Sequence, residues 1–421
     1  MKVKIYPSKC SGEIILPPSK SMAHRAIICA SLANGKSKIK NIAYSDDIIA
    51  TIQGMRKLGA IITEEGNNLY IEGVKNFSNL KKNIIECNES GSTLRFFIPI
   101  FSLTNQKIEF RGRNRLLQRP QKIYEEIFKS QNLLYLQDNE KIEISGKLKA
   151  TNYTIRGDIS SQFISGLLFT LPLLEGDSTI KIIPPFESKS YIDLTIEMLN
   201  RFGIEIEFLD ELTIFIKGNQ HYTPTDYYVE GDFSQLGFFA VLGAINNDLT
   251  CKGLNTKSKQ GDKEIVDILK KCHIDVEILE NGYRFFNGIP QSYNINLENC
   301  PDLGPILTVL SAYGNGNFKI YNAHRLRYKE SDRIEAMEVE LKKLGVDINS
   351  DQDSIYITGK RNYTSCNEVF GHKDHRIVMS LAIFATILDK PLIIDGAEAI
   401  SKSYPNFFED LKKLNIKLEI F

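Results

Sequence analysis

A two-lobed α/β architecture, each lobe made of three β-α-β-α-β-β units, is the fold class this chain predicts, and two recurrences predict it. Amphipathic segments close on a Gly, Asn or His about every seventy residues, at Gly59, Asn132, Gly203, His273, Gly345 and Asn415. Gly and Asn, and less readily His, accept the left-handed backbone that ends a helix. A second series of helix starts keeps the same period, at Ser21, Ser92, Ser161, Ser234, Asp302 and Asp374, each leading into an apolar helical pattern.

In chain order, the first unit runs from the helix start at Ser21 to Leu58-Gly59-Ala60-Ile61, where alternating apolar residues read as a strand. The second has a helix from Ser92, a short strand Lys107-Ile108-Glu109-Phe110 and a second helix ending at Asn132-Leu133-Leu134. The third repeats this with Leu167-Leu168-Phe169-Thr170-Leu171, Thr179-Ile180-Lys181-Ile182 and Phe202-Gly203-Ile204-Glu205-Ile206. Tyr222-Thr223-Pro224-Thr225-Asp226 has the composition of a crossover. The fourth to sixth units then close at His273-Ile274-Asp275-Val276, Leu344-Gly345-Val346-Asp347-Ile348 and Asn415-Ile416-Lys417-Leu418. The expected division is residues 13–225 as the first lobe and residues 1–12 with 226–421 as the second.

Composition narrows the function. Lys+Arg and Asp+Glu both number 52 in 421 residues, so no general field recruits nucleic acid or an anionic membrane, and any cationic site is local. Seven cysteines, odd in number, scattered and never in a Cys-x-x-Cys pair, argue against disulfides and structural zinc and suit a reducing cytoplasm. No signal-like segment follows Met1, and no apolar run has the length of a membrane span. His24, His324 and His375 lack partners at metal-ligand spacing, and no nucleotide-binding glycine motif occurs in a strand-to-helix context.

Polar residues gather at helix starts instead. Lys20 and Ser21, Gly91-Ser92 with Arg95, Ser160-Ser161-Gln162, Asp302 and Asp374-His375-Arg376 open one series; Arg119-Pro120, Ser188-Lys189-Ser190-Tyr191, Lys329-Glu330-Ser331-Asp332-Arg333 and Lys402-Ser403-Tyr404-Pro405 open the other. Pro120 and Pro405 suit the first helical position. Ser234, Asp332 and Asp374 read as ordinary N-caps. Lys20, Arg119, Lys329, Arg333, Arg376 and Lys402 do not, since a cation opposes the dipole there. Six at matching positions point to anion binding at converging helix N-termini. Arg111-Gly112-Arg113-Asn114-Arg115 lacks interleaved aromatics and reads as a loop leading to Arg119.

These segments bring the chain into register with a known family. Leu16-Pro17-Pro18-Ser19-Lys20-Ser21 with Arg25, Glu89-Ser90-Gly91-Ser92-Thr93-Leu94-Arg95, Gln118-Arg119-Pro120, Gly157-Asp158-Ile159-Ser160-Ser161-Gln162-Phe163, Ser188-Lys189-Ser190-Tyr191, Pro301-Asp302, Arg327-Tyr328-Lys329-Glu330-Ser331-Asp332-Arg333, Asp374-His375-Arg376 and Lys402-Ser403-Tyr404-Pro405 resemble, in order and over the full length, the 3-phosphoshikimate 1-carboxyvinyltransferase family of enolpyruvyl transferases. The resemblance implies helix N-termini facing an inter-lobe cleft, and transfer of the enolpyruvyl group of phosphoenolpyruvate to the 5-hydroxyl of shikimate 3-phosphate, with release of phosphate, in chorismate and aromatic amino acid biosynthesis. By resemblance, phosphoenolpyruvate is held by Lys20, Gly91, Arg119, Gln162, Arg333, Arg376 and Lys402. Shikimate 3-phosphate is held by Lys20, Ser21, Arg25, Ser160, Ser161, Gln162, Ser188, Asp302 and Lys329. Asp302 resembles the family's proton acceptor, and Lys20, Lys329 and Glu330 are the candidates for proton delivery and return. The competing role for Glu330 is an ion pair that orients Lys329 or Arg333. No metal or organic cofactor is implied, and a cytoplasmic monomer is expected.

Two departures stand out. Glu89-Ser90-Gly91-Ser92 replaces the family's common Asn-Ala-Gly-Thr, and Arg325 stands where some members carry an Asn that touches shikimate 3-phosphate. Two rival readings stay open. The sister family that transfers enolpyruvate to UDP-N-acetylglucosamine uses a cysteine in a loop matching Arg111 to Arg119, which has none here. A non-catalytic metabolite binder on the same scaffold would not need Asp302, Lys329 and Glu330 together.

Overall fold

In a computed structural model that describes residues 1–77, 80 and 82–421, every residue of the first recurrence has left-handed backbone: φ is 120° at Gly59, 56° at Asn132, 79° at Gly203, 61° at His273, 78° at Gly345 and 64° at Asn415. Each ends an amphipathic helix and turns the chain into a strand.

Among the described residues six four-stranded sheets result, all with one order. An outer strand runs parallel to its neighbour, and two antiparallel strands follow. In the second repeat these are Ile84–Glu86, Ile108–Arg111, Lys141–Ser145 and Leu134–Gln137. The chain divides into two compact units, Pro18–Val229 and Met1–Pro17 with Glu230–Phe421, each holding three sheets. These bounds correct the expected ones at both crossings. Glu13–Ile15, assigned above to the first lobe, lies parallel to Leu249–Lys252, with Ile14 opposite Cys251. Tyr227–Tyr228, assigned to the second, lies parallel to the end of Lys36–Lys40 and completes the first repeat's sheet. Lys2–Ile5 sits between Leu392–Asp395 and Leu418–Ile420 as an inner strand of the sixth sheet.

Two kinds of helix follow from two kinds of sequence. Phe233–Ile245, Gly304–Tyr313 and His375–Ala385 are buried on every side, as expected of segments apolar all round, and pack together as the core of their unit. Lys20–Leu32, Gly91–Ser102 and Ser161–Thr170 are almost as fully buried in the other unit. The second helix of each repeat, such as Lys122–Ser130 or Glu264–Lys271, is amphipathic and buries one face.

Ser161 and Asp374 mark helix starts as expected, Asp302 stands in a 3-10 turn ahead of a helix that begins at Gly304, and at Ser21, Ser92 and Ser234 the helix begins one residue earlier. The N-caps are Ser19, Ser90, Ser160 and Asp232, each accepting a hydrogen bond from a first-turn N–H. Ser234 is therefore not a cap; its hydroxyl donates to Asp262. Asp332 and Asp374 do cap, accepting from the N–H of Glu335 and Arg376. Pro120 and Pro405 precede helices that start at Lys122 and Phe407, outside the first helical position, because Gln121 and Asn406 occupy the N-cap. All seven cysteines are free thiols, and among the described residues no helix is long and apolar enough to cross a membrane.

Gly345 tests the reversals. A Cβ there would meet only Lys360 Nζ at 3.8 Å, so Gly345→Ala adds backbone strain without a clash and should cost about 1 kcal/mol in denaturant unfolding. At Gly54 a Cβ would lie 2.0 Å from Phe97 Cε2, and Gly54→Ala should cost about 1–3 kcal/mol through overpacking.

Candidate active site

In the unit Pro18–Val229 the starts of the three buried helices are joined by side chains. Lys20, the first residue of its helix, donates to Asp47 Oδ2 at 2.6 Å. Thr93, in the first turn of the second helix, donates to the Asp47 carbonyl at 3.5 Å. Gln162, in the first turn of the third, donates to Ser92 Oγ at 2.9 Å and accepts from Arg95 Nη1 at the same distance. Arg95 also reaches Ser160 Oγ at 3.3 Å and the Pro120 carbonyl at 3.0 Å, with its guanidinium 4.7 Å from the Phe163 ring centroid. Gly91 is needed where it stands: a Cβ would lie 2.9 Å from Arg119 Nη1 and 3.4 Å from Gln162 Oε1. Its bare backbone admits Arg119 to the helix N-terminus.

Arg25 is the most telling side chain of this cluster. It is 3% exposed, and its hydrogen bonds go to neutral oxygens: Nε to Thr195 Oγ1 at 2.9 Å, Nη1 to the Ser21 carbonyl at 2.7 Å and Nη2 to the Tyr191 carbonyl at 3.0 Å. Burial pushes its guanidinium down to about 10, because a desolvated cation without a counter-charge is costly. Tyr191 lies in the first turn of the helix Lys189–Arg201, whose N-cap Ser188 is buried in left-handed backbone at φ 54°. Ser161 opens its own helix and is likewise buried.

The other unit gathers the opposite balance. Asp302 lies in the 3-10 turn Pro301–Leu303 that leads into the helix Gly304–Tyr313. Its Oδ1 accepts from Lys329 Nζ at 3.3 Å and Arg333 Nη1 at 3.0 Å; its Oδ2 and carbonyl accept from the two Nη atoms of Arg376 at 3.0 and 3.1 Å. Arg333, 1% exposed, also donates to Asp374 Oδ2 at 2.8 Å and Glu330 Oε2 at 2.7 Å. Burial alone would lower the Arg333 guanidinium; Asp374, Glu330 and Asp302 outweigh it and hold it above its ordinary range. Burial alone would raise Asp374, yet its carboxyl is held low by Arg333. Lys402 Nζ donates to the Lys373 carbonyl at 2.5 Å.

Thus Lys20, Gly91, Arg119, Ser160 and Gln162 form one cluster with Arg95, which stands in a sequence motif but had no role read into it. Ser21, Arg25 and Ser188 form its neighbour through Tyr191. Asp302, Lys329, Glu330, Arg333 and Arg376 form a second cluster, with Glu330 in the ion pair to Arg333. Arg325 is occupied with the carbonyls of Glu298 and Leu297 at 2.7 and 3.4 Å. Sequence reasoning passed over Asp47 and Asp262, which open the second helices of the first and fourth repeats. The period that located Arg119 and Lys402 also falls on them. Asp262 is buried, accepts from Ser234 Oγ at 2.5 Å, and is pushed up to about 6 by burial first and then by the charge of Asp302.

A family profile described as EPSP synthase (3-phosphoshikimate 1-carboxyvinyltransferase) matches residues 5–411. The 3-phosphoshikimate 1-carboxyvinyltransferase of Clostridium kluyveri is 45% identical over 419 residues, covering 99% of this chain and 98% of its own. That of Clostridioides difficile is 47% identical over 431 residues, with 99% and 98% covered. Among solved structures, an EPSP synthase from Acinetobacter baumannii aligns over 100% of both chains with a TM-score of 0.81 at 24% identity. The enolpyruvyl transferase NikO from Streptomyces tendae aligns over 99% of this chain and 98% of its own, with a TM-score of 0.81 at 15% identity. These two structural likenesses bear on the fold alone.

Asp262 makes stability depend on pH. The unfolded chain releases its proton near 3.8 and the folded protein near 6, so the stability contributed by the neutral acid is full below about pH 4 and lost as pH rises through about 6. Asp262→Asn, neutral throughout, should therefore gain about 2–3 kcal/mol over the parent between about pH 4 and pH 8 in urea unfolding; a pH-independent difference would refute the buried neutral acid.

Proposed function

We propose, from the premise that this chain belongs to the EPSP synthase (3-phosphoshikimate 1-carboxyvinyltransferase) family, that it transfers the enolpyruvyl group of phosphoenolpyruvate to the 5-hydroxyl of shikimate 3-phosphate and releases phosphate. The observation that carries the reading to particular residues is Arg25, a buried guanidinium whose hydrogen bonds go to neutral oxygens. It lacks the negative charge that a phosphorylated substrate brings. Ser21, Ser160, Ser161, Gln162, Ser188 and Lys20 supply hydroxyl, amide and ammonium donors for the same acceptor substrate, completed by Asp302 and Lys329.

Phosphoenolpyruvate takes Arg119, Gln162, Lys20 and the helix N-terminus at Gly91, with Arg333, Arg376 and Lys402. Both substrates carry a phosphate and a carboxylate, and only fixed cations hold four anionic groups in one place. The reaction is addition followed by elimination. A proton reaches the methylene carbon, the 5-hydroxyl attacks C2, and phosphate leaves the tetrahedral intermediate. Asp302 accepts the hydroxyl proton. Lys329, Arg333 and Arg376, which hold its carboxylate in the free protein, are the cations an incoming anion recruits, and that exchange releases Asp302 to act as base. Lys20, Lys329 and Glu330 are the groups for proton delivery and return. The protein acts on these small molecules as a cytoplasmic monomer.

The test is phosphate release from phosphoenolpyruvate with each of two acceptors. Release is expected with shikimate 3-phosphate and not with UDP-N-acetylglucosamine; release with neither would leave a binding protein. Asp302→Ala should reduce turnover about 10²–10⁴-fold while phosphoenolpyruvate binding, measured by calorimetry, grows no weaker. Wild-type turnover would remove Asp302 from the chemistry.

A further inference from the structure

One charged cluster holds the turn that precedes the helix carrying Arg376 and that receives the Lys402 ammonium. Glu340, near the end of the helix Arg333–Lys343, is 1% exposed and accepts from three donors. These are His372 Nε2 at 2.8 Å, Lys343 Nζ at 2.7 Å and the backbone N–H of Phe370 at 3.1 Å. Burial alone would raise its carboxyl; the His372 and Lys343 hydrogen bonds outweigh that and hold it below the ordinary range.

The segment it grips is strained. His372 and Lys373 are consecutive left-handed residues, with φ of 50° and 53°, a conformation that side-chain-bearing residues adopt only when their surroundings over-determine it. At Gly371 a Cβ would lie 2.4 Å from Val378 Cγ2, so the turn cannot relax by shifting toward the helix behind it. The strain has a product. It presents the Lys373 carbonyl to Lys402 Nζ at 2.5 Å and sets the following Asp374 to cap the helix that carries Arg376.

We propose that Glu340, acting with His372, is a positioning residue: it clamps the left-handed turn His372-Lys373 and so fixes the carbonyl that aims the Lys402 ammonium. The kinetic part of this inference rests on the reading of Lys402 as a phosphoenolpyruvate contact; the structural part does not. In the protein without substrates, acetylation of Lys402 by acetic anhydride, followed by peptide mass spectrometry, should quicken at least about threefold in Glu340→Gln and in His372→Ala relative to the exposed Lys217 of the other unit. The same variants should raise KM for phosphoenolpyruvate about tenfold and leave KM for shikimate 3-phosphate within about twofold. Combined with Lys402→Ala, Glu340→Gln should add no further loss, because both changes remove one interaction. Unchanged labelling of Lys402 in both variants overturns the proposal, as does an equal rise of both KM values, the mark of a general structural role. A parent protein that labels as expected but turns over neither acceptor would sink the proposed reaction and leave the positioning of Lys402 standing.

Discussion

Taking a guanidinium group out of water costs more than any single apolar contact returns, and the site is organised around that cost. Arg25, Arg95, Arg333 and Arg376 are between 1% and 4% exposed. They are buried because the helices that begin beside them are apolar on every face and occupy the centres of their units, so their N-terminal ends lie inside the protein. The two units meet the cost differently. In Pro18–Val229, Arg25 and Arg95 rest on neutral oxygens and ring faces, with Phe96 5.5 Å from Arg25 and Phe163 4.7 Å from Arg95. In the other unit, Asp302, Glu330 and Asp374 surround Arg333. Arg25 thus makes its hydrogen bonds to neutral oxygens, whereas Arg333 is held by three carboxylates of its own unit.

The same burial explains why the candidate site residues gather at helix starts. A central helix has no exposed side on which to display a functional group, and its C-terminal end repels anions. What remains is the first turn, where unpaired N–H groups and the dipole already favour negative charge. Gly91 takes this furthest, since the absence of a side chain is what lets Arg119 reach the backbone.

Much of this was legible in the sequence, for local reasons. A reversal that ends a helix needs a residue tolerant of positive φ, so Gly59, Asn132, Gly203, His273, Gly345 and Asn415 leave a periodic mark that needs no knowledge of the fold. Cations at helix starts are visible because they break a local electrostatic rule. What escaped has no such mark. Asp47 and Asp262 are acids at helix starts, which the dipole favours anyway, and it is tertiary contacts, those with Lys20 and Ser234 among them, that distinguish them from ordinary residues there. The serines at 21, 92 and 234 were read as helix starts because the true caps lie two residues earlier in similar polar runs. The lobe boundary was misplaced at Glu13 because a three-residue strand carries too little pattern to reveal a partner far along the chain.

The placement of Lys2–Ile5 bears on the order in which the molecule assembles. The unit Pro18–Val229 is one uninterrupted stretch, and all its sheets can close as soon as that stretch has left the ribosome. The strand Lys2–Ile5 instead pairs with Leu392–Asp395 and Leu418–Ile420, so it must wait until those distant segments have been made. Loop-closure entropy across so long a separation delays the sixth sheet further. Of the six sheets described, the sixth is therefore the one whose closure waits on the longest stretch of intervening chain, and until it closes Lys2–Ile5 keeps its strand edges unpaired.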